Sequence, residues 1–202
     1  MEVPLMKMKT LIAIPVLGLA LFLSSCDKVP QVELDNANVA INDAKMAQAD
    51  VYLPTQFAAL EDSMRVVMAD VEVQNSKWFK NFDGVRTKLT NLTAMATTVK
   101  TNTMAKIEEI KTEYQTAYAE VQQMIVDNKA LVEKAPKGKE GREALEQIKG
   151  EISVVEMSTA EAESLFEAGN YMEALNKINA AKSKSVALNT ELTEAIAKTS
   201  KR

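Results

Sequence analysis

Cys26 is the only cysteine in a chain of 202 residues, and the chain contains no histidine. A thiolate is a strong nucleophile, whereas histidine is the commonest general base and the commonest metal ligand. With one thiol and no imidazole, catalytic triads, zinc sites and haem ligation are effectively excluded, and no intramolecular disulfide can form. The chemistry left to Cys26 is covalent modification of its sulfur.

The 28 acidic side chains are the other candidates for chemistry. Some lie close together in sequence, such as Glu108 with Glu109 and Glu161 with Glu163. A carboxylate metal site in a helical bundle uses ligands from several helices and a Glu-x-x-His motif, which a chain without histidine cannot supply. We therefore interpret these pairs as solvated helix faces. We expect no enzymatic activity, no cofactor and no metal site.

The N-terminal residues follow a pattern of charge and hydropathy that ends at Cys26. Lys7 and Lys9 precede an apolar run over residues 11–23, and small residues follow it. Basic, apolar and then small residues is the order of a secretory signal peptide. The apolar run is shorter than the about 20 residues that a membrane-spanning helix needs. A transmembrane anchor is therefore the weaker interpretation.

Leu23-Ser24-Ser25-Cys26 resembles the lipobox of bacterial lipoproteins, Leu-(Ala/Ser)-(Gly/Ala)-Cys. In those proteins the cysteine thiol is acylated, and the cysteine becomes the mature N-terminus. The resemblance implies a lipoprotein signal peptide over residues 1–25 and lipidation of Cys26. It also implies a location in the bacterial cell envelope, anchored in a membrane and facing the periplasm. Ser25 departs from the usual Gly or Ala before the cysteine.

The expected partners follow from this location and from the charge. The membrane is reached through acylated Cys26, and an envelope protein of unidentified kind is the second expected partner, with self-association left open. Asp27 resembles the inner-membrane retention signal of enteric lipoproteins and Lys28 weakens it, so the choice between inner and outer membrane stays open. The formal net charge of −4 argues against nucleic acid, which selects basic surfaces.

The remainder of the chain is rich in strong helix formers, and glycine and proline are confined to a few points, which predicts an all-α fold. Apolar spacing predicts helices at about 33–50, 54–77, 81–102, 103–134, 142–168 and 170–198. Short connections and heptad spacing favour an elongated antiparallel bundle of coiled-coil-like hairpins. We expect a lipidated Cys and tether at 26–32 and a bundle at 33–202, in two related halves of about 33–102 and 103–202.

The clearest coiled-coil seam lies on the helix at 103–134. Its members are Ile107, Ile110, Tyr114, Ala117, Val121, Met124, Asn128 and Leu131. Asn128 is interpreted either as a core residue that fixes register or as part of a partly exposed helix end. Threonines lower helix propensity at 97–103, so we expect the helical chain to weaken there.

Residues 81–89 and 170–178 share Asn, an aromatic residue, Lys and an aliphatic residue at matching offsets. Each pattern predicts the start of a helix, with the aromatic side chain in the junction with the preceding helix. Trp78, Phe79, Phe82 and Tyr171 are therefore the candidate interaction corner.

Trp78, Phe79 and Phe82 gather several of the chain's few aromatic residues in one place. Core packing is the favoured interpretation of the three side chains. The alternative function is that of a periplasmic carrier or sensor, which would bind an apolar ligand in a cavity lined by these residues. The favoured function is a non-enzymatic, lipid-anchored scaffold or interaction protein.

Residues 162–175 resemble the corner of a tetratricopeptide hairpin, although the upstream part of that repeat is missing. The closer resemblance is to the small Ala-rich helical domain of uncharacterised function found in bacterial envelope lipoproteins. The matching elements are the Ala-rich stretch 44–49, the Tyr-x-Pro step at 52–54 and the Gly-Asn-Tyr corner at 169–171. The first corner, at 80–82, has Lys-Asn-Phe in place of the glycine form. The resemblance implies an envelope scaffold and no known activity.

Overall fold

A computed structural model describes residues 27–135 and 138–199, and the regular elements in these ranges are all α-helices. They are α1 (Gln31–Met46), α2 (Ala49–Tyr52), α3 (Pro54–Asn75), α4 (Asp83–Lys134), α5 (Lys139–Glu167) and α6 (Tyr171–Thr199). The predicted all-α bundle is confirmed. The predicted signal peptide and Cys26 lie outside the described residues.

The first three-helix unit consists of α1, α3 and the beginning of α4. Asp27 contacts Arg86, and Asp43 at the far end of α1 contacts Lys100, so α1 and α4 run parallel. Helix α3 runs antiparallel to both, because Asp70 near its C-terminal end pairs with Lys88 near the start of α4 at 2.5 Å. The unit is therefore an up-down-up bundle.

The second unit repeats this arrangement with the end of α4, with α5 and with α6. Lys111 lies over the ring of Tyr171, and Asn128 further along α4 contacts Ser185, so α4 and α6 are parallel. Helix α5 is antiparallel to both. Helix α4 is thus the third helix of one unit and the first helix of the next.

The buried side chains form two clusters that meet on α4. The N-terminal cluster contains Leu34, Ala37, Ala44, Ala49, Phe57, Leu60, Val67, Val71, Phe82, Val85, Leu89, Leu92, Ala96 and Val99. The C-terminal cluster contains residues of α4 from Ile110 onwards, residues of α5 and α6, and Tyr52. The changeover between the two clusters lies between Val99 and Ile110 on α4.

Helix α4 is continuous over 52 residues, which corresponds to about 78 Å. The expected weakening at 97–103 is wrong. Thr97, Thr98, Thr101 and Thr103 each donate a hydroxyl hydrogen to the carbonyl four residues earlier. The propensity cost of a threonine is at most about 0.7 kcal/mol, whereas burying an aliphatic side chain is worth about 1.5–3 kcal/mol. Burial of the apolar face therefore keeps α4 helical through residues 97–103.

The helix predicted at 33–50 ends earlier than expected. Helix α1 ends at Met46, and Gln48 has a φ of 66°, in the left-handed region that side chains other than glycine rarely adopt. This turn redirects the chain into α2, whose Tyr52 is 6% exposed and belongs to the C-terminal cluster. Tyr52 thus links the two units. Pro54 begins α3, as its fixed φ favours.

The seam on α4 is confirmed in its central part and shifts by one position towards its end. Ile110, Tyr114, Ala117, Val121 and Asn128 are buried, but Ile107, Met124 and Leu131 are half-buried, and Ile125 and Val132 are buried instead. An α-helix turns about 20° per heptad away from an ideal seven-residue repeat. The buried stripe therefore moves to neighbouring residues. Asn128 is a core residue, 1% exposed.

Candidate functional site

Asp27, the first described residue, binds the N-terminal end of α4. Its carboxylate accepts a hydrogen bond from the backbone N–H of Phe82 at 2.8 Å and two from the Arg86 guanidinium at 2.7 and 3.1 Å. The N–H groups at the start of a helix have no partner within the helix, and a carboxylate there complements the helix dipole. Asp27 therefore stabilises the start of α4 from a segment 55 residues earlier in the chain.

The same contacts shift the pKa values of both side chains. The Arg86 guanidinium and the Phe82 N–H hold the pKa of Asp27 below its ordinary value of 3.8, because they favour the charged carboxylate. The Asp27 carboxylate in turn raises the pKa of Arg86. Arg86 also lies 3.6 Å from Glu33 and 3.2 Å from Asp83. One guanidinium therefore contacts three carboxylates at this end of the molecule and balances the charge of one of them.

Residues 76–82 connect α3 to α4, and we refer to them as the α3–α4 corner. Phe82 is fully buried, as core packing predicts. The same prediction is wrong for Trp78 and Phe79, which are 89% and 84% exposed. Val71, Phe82 and Val85 already fill this end of the N-terminal cluster. The two remaining aromatic side chains therefore project from the bundle surface.

The carrier hypothesis expects an apolar cavity lined by Trp78, Phe79 and Phe82, and the structure arranges these residues differently. Phe82 packs inside the N-terminal cluster, and Trp78 projects into solvent. Phe79 borders a surface groove of about 450 Å³ that also has the charged residues Asp70 and Lys88 in its walls. The three aromatic residues therefore do not line a common cavity.

Tyr171, the fourth residue of the candidate corner, lies at the start of α6. Its ring contacts Phe166 edge-on at a centroid distance of 5.1 Å, and Lys111 Nζ lies 4.7 Å from its centroid. Lys111 follows Phe82 by 29 positions in the same sequence, a distance of about 43 Å along α4. The structure thus divides the candidate interaction corner into two separate places.

Tyr171 belongs to an aromatic group at the junction of the two units. Tyr114 stacks on Phe166 at a centroid distance of 4.3 Å and is 4% exposed. Its hydroxyl has no hydrogen-bond partner among the residues that the structure describes. Burial raises the pKa of Tyr114 to about 12, and burial also raises the pKa of Tyr52. The group packs the start of α6 against α4.

The carboxylates singled out in the sequence lie on helix surfaces. Glu108 pairs with Lys111 at 2.7 Å, and Glu109 pairs with Lys106 at 2.9 Å. Within 27–135 and 138–199, no group of three acidic, cysteine or histidine side chains is arranged to hold a metal ion. Over the same residues, no helix combines the length and the hydropathy needed to cross a membrane.

Comparisons with protein-family models, with curated proteins and with solved structures found no match. The resemblances to a lipoprotein signal and to an Ala-rich envelope domain therefore stay predictions from the residues.

Proposed function

We propose that the protein is lipidated at Cys26 and acts as a non-enzymatic, membrane-anchored helical scaffold or interaction protein of the bacterial cell envelope. The observation that carries the proposal is the order of residues at the N-terminus. Lys7 and Lys9, the apolar run 11–23 and Leu23-Ser24-Ser25-Cys26 follow one another as in a lipoprotein signal. Acylation would use the only thiol of the chain.

The beginning of the bundle supports this proposal. Asp27, which directly follows Cys26, is hydrogen-bonded to α4, and α1 begins at Gln31. The tether predicted at 26–32 overlaps α1 at residues 31 and 32, and Asp27 is held on the bundle rather than free. Lipidation at Cys26 would keep the helical units close to the membrane surface.

The interior of the two units supports a role for the surface of the bundle. The clusters are filled largely by aliphatic side chains of α1, α3, α4, α5 and α6. A helical bundle packed in this way offers its outer helix faces to other proteins. We propose an envelope protein as the partner that these faces contact.

Lipidation is tested by expressing the full-length chain in a bacterium and measuring the mass of its N-terminal peptide. The expected product begins at Cys26 and carries acyl chains, and the protein is recovered in the membrane fraction. Several acyl chains anchor stably, whereas one chain binds a membrane only marginally. Cys26→Ala should lose both the acyl mass and stable membrane attachment.

Ser25→Ala is the matched control, because alanine is a usual residue before the lipobox cysteine. This variant should be lipidated as well as the unchanged protein. Recovery of unmodified protein in the soluble fraction would refute the proposal. Normal membrane attachment of Cys26→Ala would refute it as well.

A further inference from the structure

The α3–α4 corner carries two adjacent aromatic side chains that the fold does not use. Trp78 and Phe79 are 89% and 84% exposed, whereas Phe57, Phe82 and Tyr114 are buried. Tryptophan and phenylalanine are favoured at the boundary between lipid headgroups and acyl chains, where an aromatic ring leaves water. The two neighbouring rings together form an exposed apolar patch on the bundle.

Two lysines lie next to this aromatic pair and can face anionic lipid headgroups. Lys77 and Lys80 flank the two aromatic residues, and Lys80 Nζ is hydrogen-bonded to the neutral Asn75 side chain at 2.8 Å. Lys28 is exposed in the segment that lies against the same end of α4. Basic residues next to a membrane are attracted by the negative potential of anionic lipids.

Four acidic residues near the corner contact cations of the protein itself, whereas Glu72 at the end of α3 is exposed. Arg86 contacts Asp27, Asp83 and Glu33. Asp70 in the neighbouring groove pairs with Lys88. These ion pairs reduce the repulsion that free carboxylates would exert on lipid phosphates but do not cancel it, because Arg86 brings one positive charge to three carboxylates.

The position of the corner relative to the proposed lipidation point gives the decisive argument. The Asp27 carboxylate is 2.8 Å from the backbone nitrogen of Phe82, the last residue of the corner. Cys26 directly precedes Asp27 in the chain, so the described chain begins at the end of α4 that carries the corner. An anchor at Cys26 would therefore bring this end of the bundle to the bilayer.

We infer that the α3–α4 corner is a second membrane contact, in which Trp78 and Phe79 insert into the interfacial layer while Lys77 and Lys80 face anionic headgroups. This inference rests on the proposed lipid anchor, because the anchor brings the corner to the bilayer. Two contact points at one end of the bundle restrict its tilt, whereas a single acylated residue leaves the bundle free to rotate about the anchor.

Trp78 is the only tryptophan of the chain, so intrinsic fluorescence reports on this residue alone. The acylated protein is reconstituted in vesicles of phosphatidylcholine with a minority of phosphatidylglycerol, and flotation measures its attachment. The expected result is a blue shift of Trp78 emission and strong quenching by lipids brominated near the headgroup. Lipids brominated at the acyl chain end should quench less.

The matched control moves the tryptophan to an exposed position on α5. Trp78→Phe combined with Met157→Trp keeps one tryptophan and places it at a residue that is 57% exposed. Its emission should resemble that of a tryptophan in water, without quenching by either lipid. Equal quenching of both proteins, or an unshifted Trp78 in protein that floats with the vesicles, would overturn the inference and leave the lipid anchor intact.

The contribution of charge is measured with unacylated Cys26→Ala protein and the same vesicles. Its binding should weaken roughly fivefold for each of Lys77→Gln and Lys80→Gln, and added salt should reduce the difference. Unchanged binding of the double variant would contradict the charge argument. A blue shift that needs no lipid and grows with protein concentration would identify a second copy as the occupant and would also overturn the inference.

If protein isolated from cells carries no acyl chain, the proposed lipidation fails. Quenching of Trp78 in unacylated Cys26→Ala protein bound to the same vesicles would then still support the corner as a membrane contact. The two proposals can therefore fail separately.

Discussion

Asn189 donates a side-chain amide hydrogen to Oδ1 of Asn128 at 2.9 Å, between the parallel helices α4 and α6. Asn128 is 1% exposed and donates its own amide to the carbonyl of Ser185, also at 2.9 Å. A buried polar residue in a helix interface favours the one register in which its hydrogen bonds form. This pair therefore aligns the second unit along α4.

Replacing Asn128 by alanine should lower the free energy of unfolding by about 1–3 kcal/mol, because two hydrogen bonds are lost and Asn189 loses its partner. Urea titration followed by circular dichroism measures the change. Asn102→Ala is the matched control, since Asn102 is exposed on the same helix, and it should stay within about 0.5 kcal/mol. Equal effects of both substitutions would contradict a structural role for Asn128.

The two phenylalanines of the α3–α4 corner should differ strongly in their effect on stability. Phe82 is fully buried, and Phe82→Ala should cost about 3–5 kcal/mol, because it leaves a cavity in the N-terminal cluster. Phe79 is 84% exposed, and Phe79→Ala should change the unfolding free energy by no more than about 0.5 kcal/mol. Thermal unfolding of both variants provides the comparison. A large loss in Phe79→Ala would show that this side chain is packed.

The continuity of α4 predicts that the two units depend on one another. Thr101 is exposed in the middle of α4, where a proline would remove a backbone hydrogen bond and clash with the carbonyl of Thr97. Thr101→Pro should cost about 3 kcal/mol or more and should separate thermal unfolding into two transitions. Thr101→Ala, which favours the helix, should retain a single transition. Two transitions in both variants would indicate units that already unfold independently.

The contact between Asp27 and the start of α4 should weaken in acid. The pKa of Asp27 lies below its ordinary value of 3.8 in the folded protein, so the carboxylate stabilises the folded state above that value. The stabilisation should be lost as the pH falls through the lowered pKa. The amide chemical shift of Phe82 reports the contact and should titrate with a midpoint below 3.8. Asp27→Asn should abolish that transition, and an unchanged Phe82 titration in this variant would exclude the contact.

Burial raises the pKa of Tyr52, Tyr114 and Tyr118, and Tyr114 should be the last of these three to ionise. A pKa of about 12 in the folded state means that the fold disfavours the ionised phenolate, so stability is unaffected by this group below pH 10 and falls as the pH rises towards 12. Ultraviolet absorbance during alkaline titration measures the step. Tyr114→Phe should remove it and leave stability equal or about 1 kcal/mol higher, because the hydroxyl lacks a partner. A clear loss of stability would indicate that the hydroxyl is bonded.

The helical class and much of the α4 seam could be predicted because apolar periodicity reports burial directly. The seam prediction is least accurate at Met124 and Leu131, where a strict seven-residue repeat departs from the actual helical turn. The break expected at 97–103 did not form, because threonine propensity is a weak local effect and the apolar face continues through it.

The site was less predictable, because it depends on contacts between distant parts of the chain. Nothing local in the sequence indicates that Asp27 binds Arg86, 59 positions later. Residue type likewise does not reveal that Phe82 is buried while Trp78 and Phe79 are exposed. Whether each ring is buried depends on how many side chains fit into that end of the N-terminal cluster.

Sharing α4 between two units also determines how such a molecule can be enlarged. A separate three-helix bundle needs three helices, but a unit that borrows the last helix of its neighbour adds only two. Each addition lengthens the molecule along the shared helix without widening it. The architecture therefore produces a slender rod, whose reach could be extended by duplicating one helical pair and prolonging α6.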